Sequence, residues 1–119
     1  MTRTFIQTHE FSRRWDSLGL MDDDLRRLEL MILEDPQAGK VIPGTGKLRK
    51  LRFAFGNKGK RGSARVCYVD FVSFDTVYLI TVYAKSEKSD LTQRERHQVR
   101  SAIEVLEASL KGARNDGSL

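Results

Sequence analysis

Residues 36–69, PQAGKVIPGTGKLRKLRFAFGNKGKRGSARVCYV, decide the fold of this 119-residue chain. They begin in a loop rich in glycine and proline, then alternate between apolar and polar side chains. A glycine-rich turn, predicted at residues 56–62, leads from this alternating run into a second, more evenly apolar run. Alternation is typical of a half-buried strand, and an evenly apolar run is typical of a central strand. The sequence therefore predicts a basic, hairpin-like pair of strands at the centre of the chain.

This predicted hairpin carries positive charge only. It contains no Asp or Glu, whereas the rest of the chain has twelve basic and sixteen acidic residues. Ordinary surfaces mix both signs of charge, and a surface of one sign attracts a partner of the opposite sign. Because the charge is spread over many side chains, the pattern favours nucleic acid over an acidic small molecule. The nine basic residues are Lys40, Lys47, Arg49, Lys50, Arg52, Lys58, Lys60, Arg61 and Arg65.

The alternation within residues 48–55 separates apolar from basic side chains. Leu51 and Phe53 fall on one face of the predicted strand, and Lys50 and Arg52 fall on the other. Successive side chains of a strand point to opposite sides of its sheet. The apolar face is therefore expected against a core, and the basic face is expected to meet the anionic partner.

The other elements follow from apolar periodicity. Residues 4–7 are predicted as a first strand. Residues 48–55, 64–72 and 77–84 are predicted to form a three-stranded antiparallel meander. Helical spacing predicts two N-terminal helices that form an antiparallel hairpin, and one C-terminal helix that starts at Thr92. Their apolar stripes are Phe11, Trp15 and Leu18; Met21, Leu25, Leu28 and Ile32; and Val99, Ala102, Ile103, Leu106 and Leu110.

The predicted order is β-α-α-β-β-β-α, an α+β fold with helices on one face of a mainly antiparallel sheet. Residues 1–110 are expected to form one domain, with 111–119 as a frayed tail. Residues 36–47 are predicted as a loop. Its Gly44-Thr45-Gly46-Lys47 lacks the spacing and the following helix of a phosphate-binding P-loop.

Composition argues against several kinds of function. Cys67 is the one cysteine, so no internal disulfide is expected. A reducing, cytoplasmic setting is expected instead. The sequence has neither the apolar run of a signal peptide nor the ~20 apolar residues of a membrane span. His9 and His97 are expected at the surface, and the acids at 22–24 fit a helix start. No metal and no other cofactor is expected.

The polar faces of the strands predict one shared cluster. If these faces coincide, Lys50, Arg52, Arg65, Tyr83 and Lys85 lie together. Such a cluster neutralises phosphates. It would also permit RNA cleavage by the 2′-OH, if a lysine made less basic by neighbouring cations takes the proton and arginines stabilise the developing charge. On these residues alone, binding ranks ahead of catalysis.

Three runs of the sequence resemble the RelE/ParE toxin superfamily, and its HigB-like branch most closely. They are residues 44–53 (GTGKLRKLRF), 59–66 (GKRGSARV) and 82–91 (VYAKSEKSDL). The leading and closing helices also match, so the resemblance covers nearly the whole chain. It implies a RelE-like fold and a bacterial type II toxin, a ribosome-dependent endonuclease that cleaves translated mRNA in the A site and so inhibits translation.

The resemblance also implies partners. They are the 70S ribosome with its mRNA and a cognate antitoxin, which in HigB-like systems usually carries a helix-turn-helix domain. Operator DNA is expected to be bound only through the toxin–antitoxin complex, and no membrane is involved.

Site residues follow from the resemblance position by position. The strand cations fall on Lys50 and Arg52, and the arginine after the turn falls on Arg65. The cations of the exit loop, the polar loop at residues 85–91 that follows the last predicted strand, fall on Lys85 and Lys88. Ser86 and Thr92 stand where RelE has an arginine and a tyrosine implicated in cleavage, and Tyr83 is the candidate replacement for the phenol. Further RNA or ribosome contacts are expected from Lys47, Arg49, Lys58, Lys60 and Arg61. Inhibition of gyrase in the manner of ParE, and nucleic-acid binding without catalysis, remain open alternatives.

Overall fold

A computed structural model describes residues 2–57, 60–88 and 90–115. Within these residues, five strands form one sheet and three α-helices pack on it. None of the described helices combines the length and the apolar character needed to cross a membrane. In chain order the elements are β1 (Thr4–Gln7), α1 (His9–Ser17), α2 (Asp22–Glu34), β2 (Lys40–Val41), β3 (Arg49–Asn57), β4 (Lys60–Phe71), a 3₁₀ turn (Val72–Phe74), β5 (Thr76–Ala84) and α3 (Gln93–Asn115).

The sheet is mixed but mainly antiparallel, with the strand order β1-β5-β4-β3-β2. The predicted meander of β3, β4 and β5 is confirmed, because both of its pairings are antiparallel. β1 joins the free edge of β5 in parallel, which places the chain start beside its last strand. β3 and β4 pair as far as Asn57 and Lys60, so the predicted turn at 56–62 is wrong in its bounds. The α+β class is confirmed.

Helices cover both faces of the sheet, so the prediction that they lie on one face is wrong. α1 and α2 pack on the face that carries Phe53, Val66 and Leu79. α3 packs on the opposite face, where Ile103 joins Cys67 in a second apolar cluster. The physical reason lies in β4, whose side chains are apolar on both sides, as the central strand of a sheet covered on both faces requires.

The two predicted N-terminal helices are confirmed, and both contribute to the same apolar cluster. The ring of Trp15 lies 5.4 Å from the ring of Phe11 and 5.7 Å from that of Phe53. α1 ends before Gly19, whose φ of +76° suits a residue without a Cβ. Met21, predicted in the core stripe of α2, is 69% exposed, because it precedes the helix and its N–H binds the Asp24 carboxylate.

The loop predicted at residues 36–47 contains the two-residue strand β2, which sequence analysis missed. β2 pairs with the start of β3. The buried Tyr68 hydroxyl donates to the carbonyl of Pro36 at 2.8 Å and accepts from the N–H of Gly39 at 3.1 Å. These bonds hold the loop against the edge of the sheet.

α3 begins with the predicted capping box. Thr92 and Glu95 exchange backbone-to-side-chain hydrogen bonds of 2.9 and 3.1 Å. The helix continues to Asn115, beyond residue 110, where the tail was predicted to start. The Arg114 guanidinium lies 4.8 Å from the centre of the Phe74 ring, which adds a cation–π contact for this last turn.

Candidate nucleic-acid interface

Three basic residues of the central strands emerge on the same side of the sheet. Arg52 of β3 is the direct partner of Arg65 of β4, and Arg65 is the direct partner of Tyr83 of β5. Lys50 lies on β3 two residues before Arg52, opposite Cys67. Direct partners point to the same side of an antiparallel sheet, as do residues two apart on one strand. Lys50, Arg52 and Arg65 therefore form one surface, here called the cationic face.

The cationic face lies on the α3 side of the sheet and is open to solvent in part. Arg52 is exposed, whereas Lys50 and Arg65 are half-buried. The Arg65 guanidinium donates a hydrogen bond of 3.0 Å to the Ser63 hydroxyl. Leu51, the neighbour of both β3 cations, packs with the hairpin helices on the opposite side of the sheet. The predicted separation of basic from apolar side chains is therefore present in the folded chain.

An acidic residue of the exit loop lies against the cationic face. Asp90 is 3.5 Å from the Lys50 ammonium and 2.9 Å from the Arg96 guanidinium. Arg96 also donates to the carbonyls of Leu91 and Pro43, at 3.2 and 3.3 Å. Burial alone would raise the pKa of Asp90, but the Leu91 N–H and the two cations outweigh it and lower that pKa. Asp90 is therefore a charged counter-ion for Lys50.

A second ion pair lies beside Tyr83. The Lys88 ammonium is 2.6 Å from a Glu95 carboxylate oxygen and 5.1 Å from the centre of the Tyr83 ring. The hydrogen bond from Lys88 lowers the pKa of Glu95, and the N–H of Thr92 lowers it further. Lys88, predicted as an RNA contact, is thus held by a carboxylate and by an aromatic face.

Tyr83, the predicted phenol of the site, is buried. Its relative exposure is 1%, and its hydroxyl has no hydrogen-bond partner among the described residues. Burial raises its pKa, which keeps the phenol protonated. Burial likewise raises the pKa of the neighbouring Cys67 thiol to about 12, so this cysteine is neither a thiolate nucleophile nor a ready metal ligand.

The other predicted contacts are dispersed. Lys85 is exposed and lines a different hollow, together with Phe55 and Gly62. The Lys47 ammonium is 2.6 Å from the Glu107 carboxylate. Arg49 lies on the opposite side of β3 from Lys50, and its guanidinium donates to the Gly39 carbonyl at 2.7 Å. Lys58 lies outside the described residues, as do the side chains of Lys60 and Arg61.

Sequence analysis missed Asp90, Glu95 and Arg96 as neighbours of the cationic face. The capping box predicted where α3 starts, but the path of the exit loop depends on tertiary packing of Leu91. Both histidines are exposed, as predicted. His97 lines a surface cleft with Arg96 and Arg100 rather than joining the cationic face.

The side chains of the cationic face are of the kind that can bind phosphates. Arginine and lysine side chains neutralise phosphates and stabilise charge that develops on them. In the described part of the chain, no group of three or more His, Cys, Asp or Glu residues is arranged to hold a metal ion. No protein-family model matches the chain.

Proposed function

We propose that this chain is the toxin of a type II toxin–antitoxin system and cleaves translated mRNA in the ribosomal A site. The observation that carries the proposal is the convergence of Lys50, Arg52 and Arg65 on one side of the sheet. Like charges on direct cross-strand partners destabilise a sheet. An anionic ligand removes that repulsion, so the arrangement suits a chain of phosphates better than a purely structural role.

In this proposal, the chain contributes electrostatics and the ribosome contributes geometry. The ribose 2′-OH attacks the adjacent phosphorus, a new O–P bond forms, and the bond to the 5′-oxygen of the next nucleotide breaks. Lys50 takes the 2′-OH proton, for which it must first be the neutral amine, and the 5′-oxygen is protonated from solvent. Arg52 and Arg65 stabilise the charge on the phosphate, a contribution commonly worth about 3–4 kcal/mol for one donor. Orientation of the mRNA by the ribosome supplies several kcal/mol more.

The partners belong to the same proposal and are supported by the sequence resemblance. They are the 70S ribosome with mRNA and a cognate antitoxin that carries a helix-turn-helix domain. Operator DNA is contacted through the toxin–antitoxin complex. The proposed site of action is the cytoplasm, and the proposed chemistry uses neither a metal nor another cofactor.

RNA binding without cleavage is the second candidate, and two observations favour it. Tyr83 is buried, so its phenol does not meet a substrate at the cationic face. Lys50, the proposed base, carries a counter-ion in Asp90. A surface in this state binds phosphates without transferring protons.

Expression in bacterial cells, with mapping of mRNA 5′ ends, separates the two candidates. We expect growth arrest and new 5′ ends in phase with codons, and Arg65→Ala should abolish both. Arg26→Ala removes an exposed arginine on α2 and is the matched control, expected to behave as wild type. Growth arrest without codon-phased ends would contradict the proposed cleavage and favour binding alone.

A further inference from the structure

Two carboxylates hold lysines at or beside the cationic face. Asp90 bridges Lys50 and Arg96, and Glu95 binds Lys88 at 2.6 Å. Both carboxylates have lowered pKa values, so both are charged at neutral pH. The predicted RNA-binding surface therefore carries its own counter-anions.

The position of Asp90 resembles that of a bound phosphate. One of its oxygens faces the Lys50 ammonium, the other faces the Arg96 guanidinium, and the Leu91 N–H donates to it at 2.9 Å. A phosphate group accepts hydrogen bonds from the same kinds of donor. Because Asp90 is part of the chain, its effective concentration at this place is high. RNA must displace it to reach Lys50.

The backbone hydrogen bonds of these side chains do not need their charges. Arg96 also donates to the carbonyls of Leu91 and Pro43, and neither of these hydrogen bonds involves Asp90. The capping contact of Glu95 uses the oxygen that accepts from Thr92, whereas its other oxygen binds Lys88. An amide in place of either carboxylate can accept the same backbone hydrogen bonds. Only its charge is lost.

We propose that Asp90 and Glu95 make the cationic face selective for RNA that is already held in place. They act as internal counter-ions, which free RNA displaces poorly and RNA held at high local concentration displaces readily. This inference rests on the proposed RNA binding at the cationic face. It supplies a physical reason for dependence on the ribosome, since a polynucleotide already held in place competes far better with a tethered carboxylate than a dilute one does.

The test measures binding of a short single-stranded RNA by fluorescence anisotropy, at KCl concentrations between about 50 and 200 mM. The proteins are wild type, Asp90→Asn, Glu95→Gln and the control Glu34→Gln. Glu34 is exposed at the end of α2, on the opposite side of the sheet, and its variant changes net charge by the same amount. Circular dichroism melting identifies any variant that fails to fold. If Asp90→Asn or Glu95→Gln fails to fold, the other of these two variants is used for the test.

We expect Asp90→Asn and Glu95→Gln each to bind roughly two- to five-fold more tightly than wild type. Each lysine released to a phosphate should steepen the salt dependence by about 0.7 in log–log slope. Equal tightening by Glu34→Gln would overturn the inference, because net charge alone would then explain the gain, while RNA binding itself would stand. Unchanged affinity in both site variants would also overturn it. Absence of RNA binding by all four proteins would overturn the proposed function as well.

Discussion

Arg52 and Arg65 are direct cross-strand partners on β3 and β4, so two guanidinium side chains leave the sheet at the same place and on the same side. Such a pair carries an energetic cost of a few tenths of a kcal/mol or more when no anion is bound. Stability and RNA affinity should therefore respond in opposite directions to removal of one arginine.

Arg65→Ala should weaken RNA binding while leaving the free energy of unfolding unchanged or slightly higher. Loss of one phosphate contact should reduce the log–log salt slope by about 0.7 for single-stranded RNA. Anisotropy titrations and urea denaturation measure the two effects, with Arg26→Ala as the control. A loss of stability with unchanged RNA affinity would show that Arg65 is structural.

The cationic face illustrates what the sequence could predict. The alternation of Lys50 and Arg52 with Leu51 predicted the two sides of β3, because strand side chains alternate regardless of distant contacts. Strand alternation could not predict which cations of the exit loop would lie beside Lys50 and Arg52. Lys85 lies beyond the end of β5, where no strand periodicity constrains its direction.

Other misses have similar physical causes. β2 has only two residues, too few for a periodic pattern, and it depends on pairing with β3. The pairing of β1 with β5 joins residues about seventy positions apart, which local patterns do not encode. The stripe containing Ile103 predicted that α3 is amphipathic, but an amphipathic stripe does not say which face of a sheet it covers.

Tyr83→Phe should preserve the fold and raise the free energy of unfolding by about 1 kcal/mol. A buried hydroxyl without a partner costs about 1–3 kcal/mol of desolvation, and phenylalanine removes that cost. Urea denaturation measures the change. RNA binding should be unaffected, and a large loss of RNA cleavage in the folded variant would instead identify the phenol as part of the reaction.

The ion pairs of the exit loop predict an acid-sensitive contribution to stability. The pKa of Glu95 is lowered by Lys88 from an ordinary value of 4.5. Stabilisation by a carboxylate with a lowered pKa is present above its unfolded pKa and is lost as pH falls through the folded one. The free energy of unfolding should therefore decline below about pH 4.5, and this decline should be smaller for the Glu95→Gln variant. Urea titrations across pH, with Glu34→Gln as control, test this; superimposable profiles for wild type and Glu95→Gln would refute it.

A buried ion pair ties the chain start to the sheet. Arg3 binds both oxygens of Asp70, at 2.8 and 3.2 Å, and both side chains are at most 8% exposed. Asp70→Asn should lower the free energy of unfolding by about 3 kcal/mol, because it removes the buried carboxylate that binds two nitrogens of the Arg3 guanidinium. Asp75→Asn is the control, since its carboxylate is 73% exposed and 3.5 Å from Arg3. A cost below about 1 kcal/mol for Asp70→Asn, as for a surface pair, would show that the pair is solvated.

The most direct test of RNA binding at the cationic face is an NMR titration of the ¹⁵N-labelled chain with a short single-stranded RNA. The predicted result is that amide shifts change along β3 and β4 around Lys50, Arg52 and Arg65, and in the exit loop near Asp90, while α2 is unperturbed. Shifts confined to α1 and α2, on the opposite side of the sheet, would contradict the assignment of this surface.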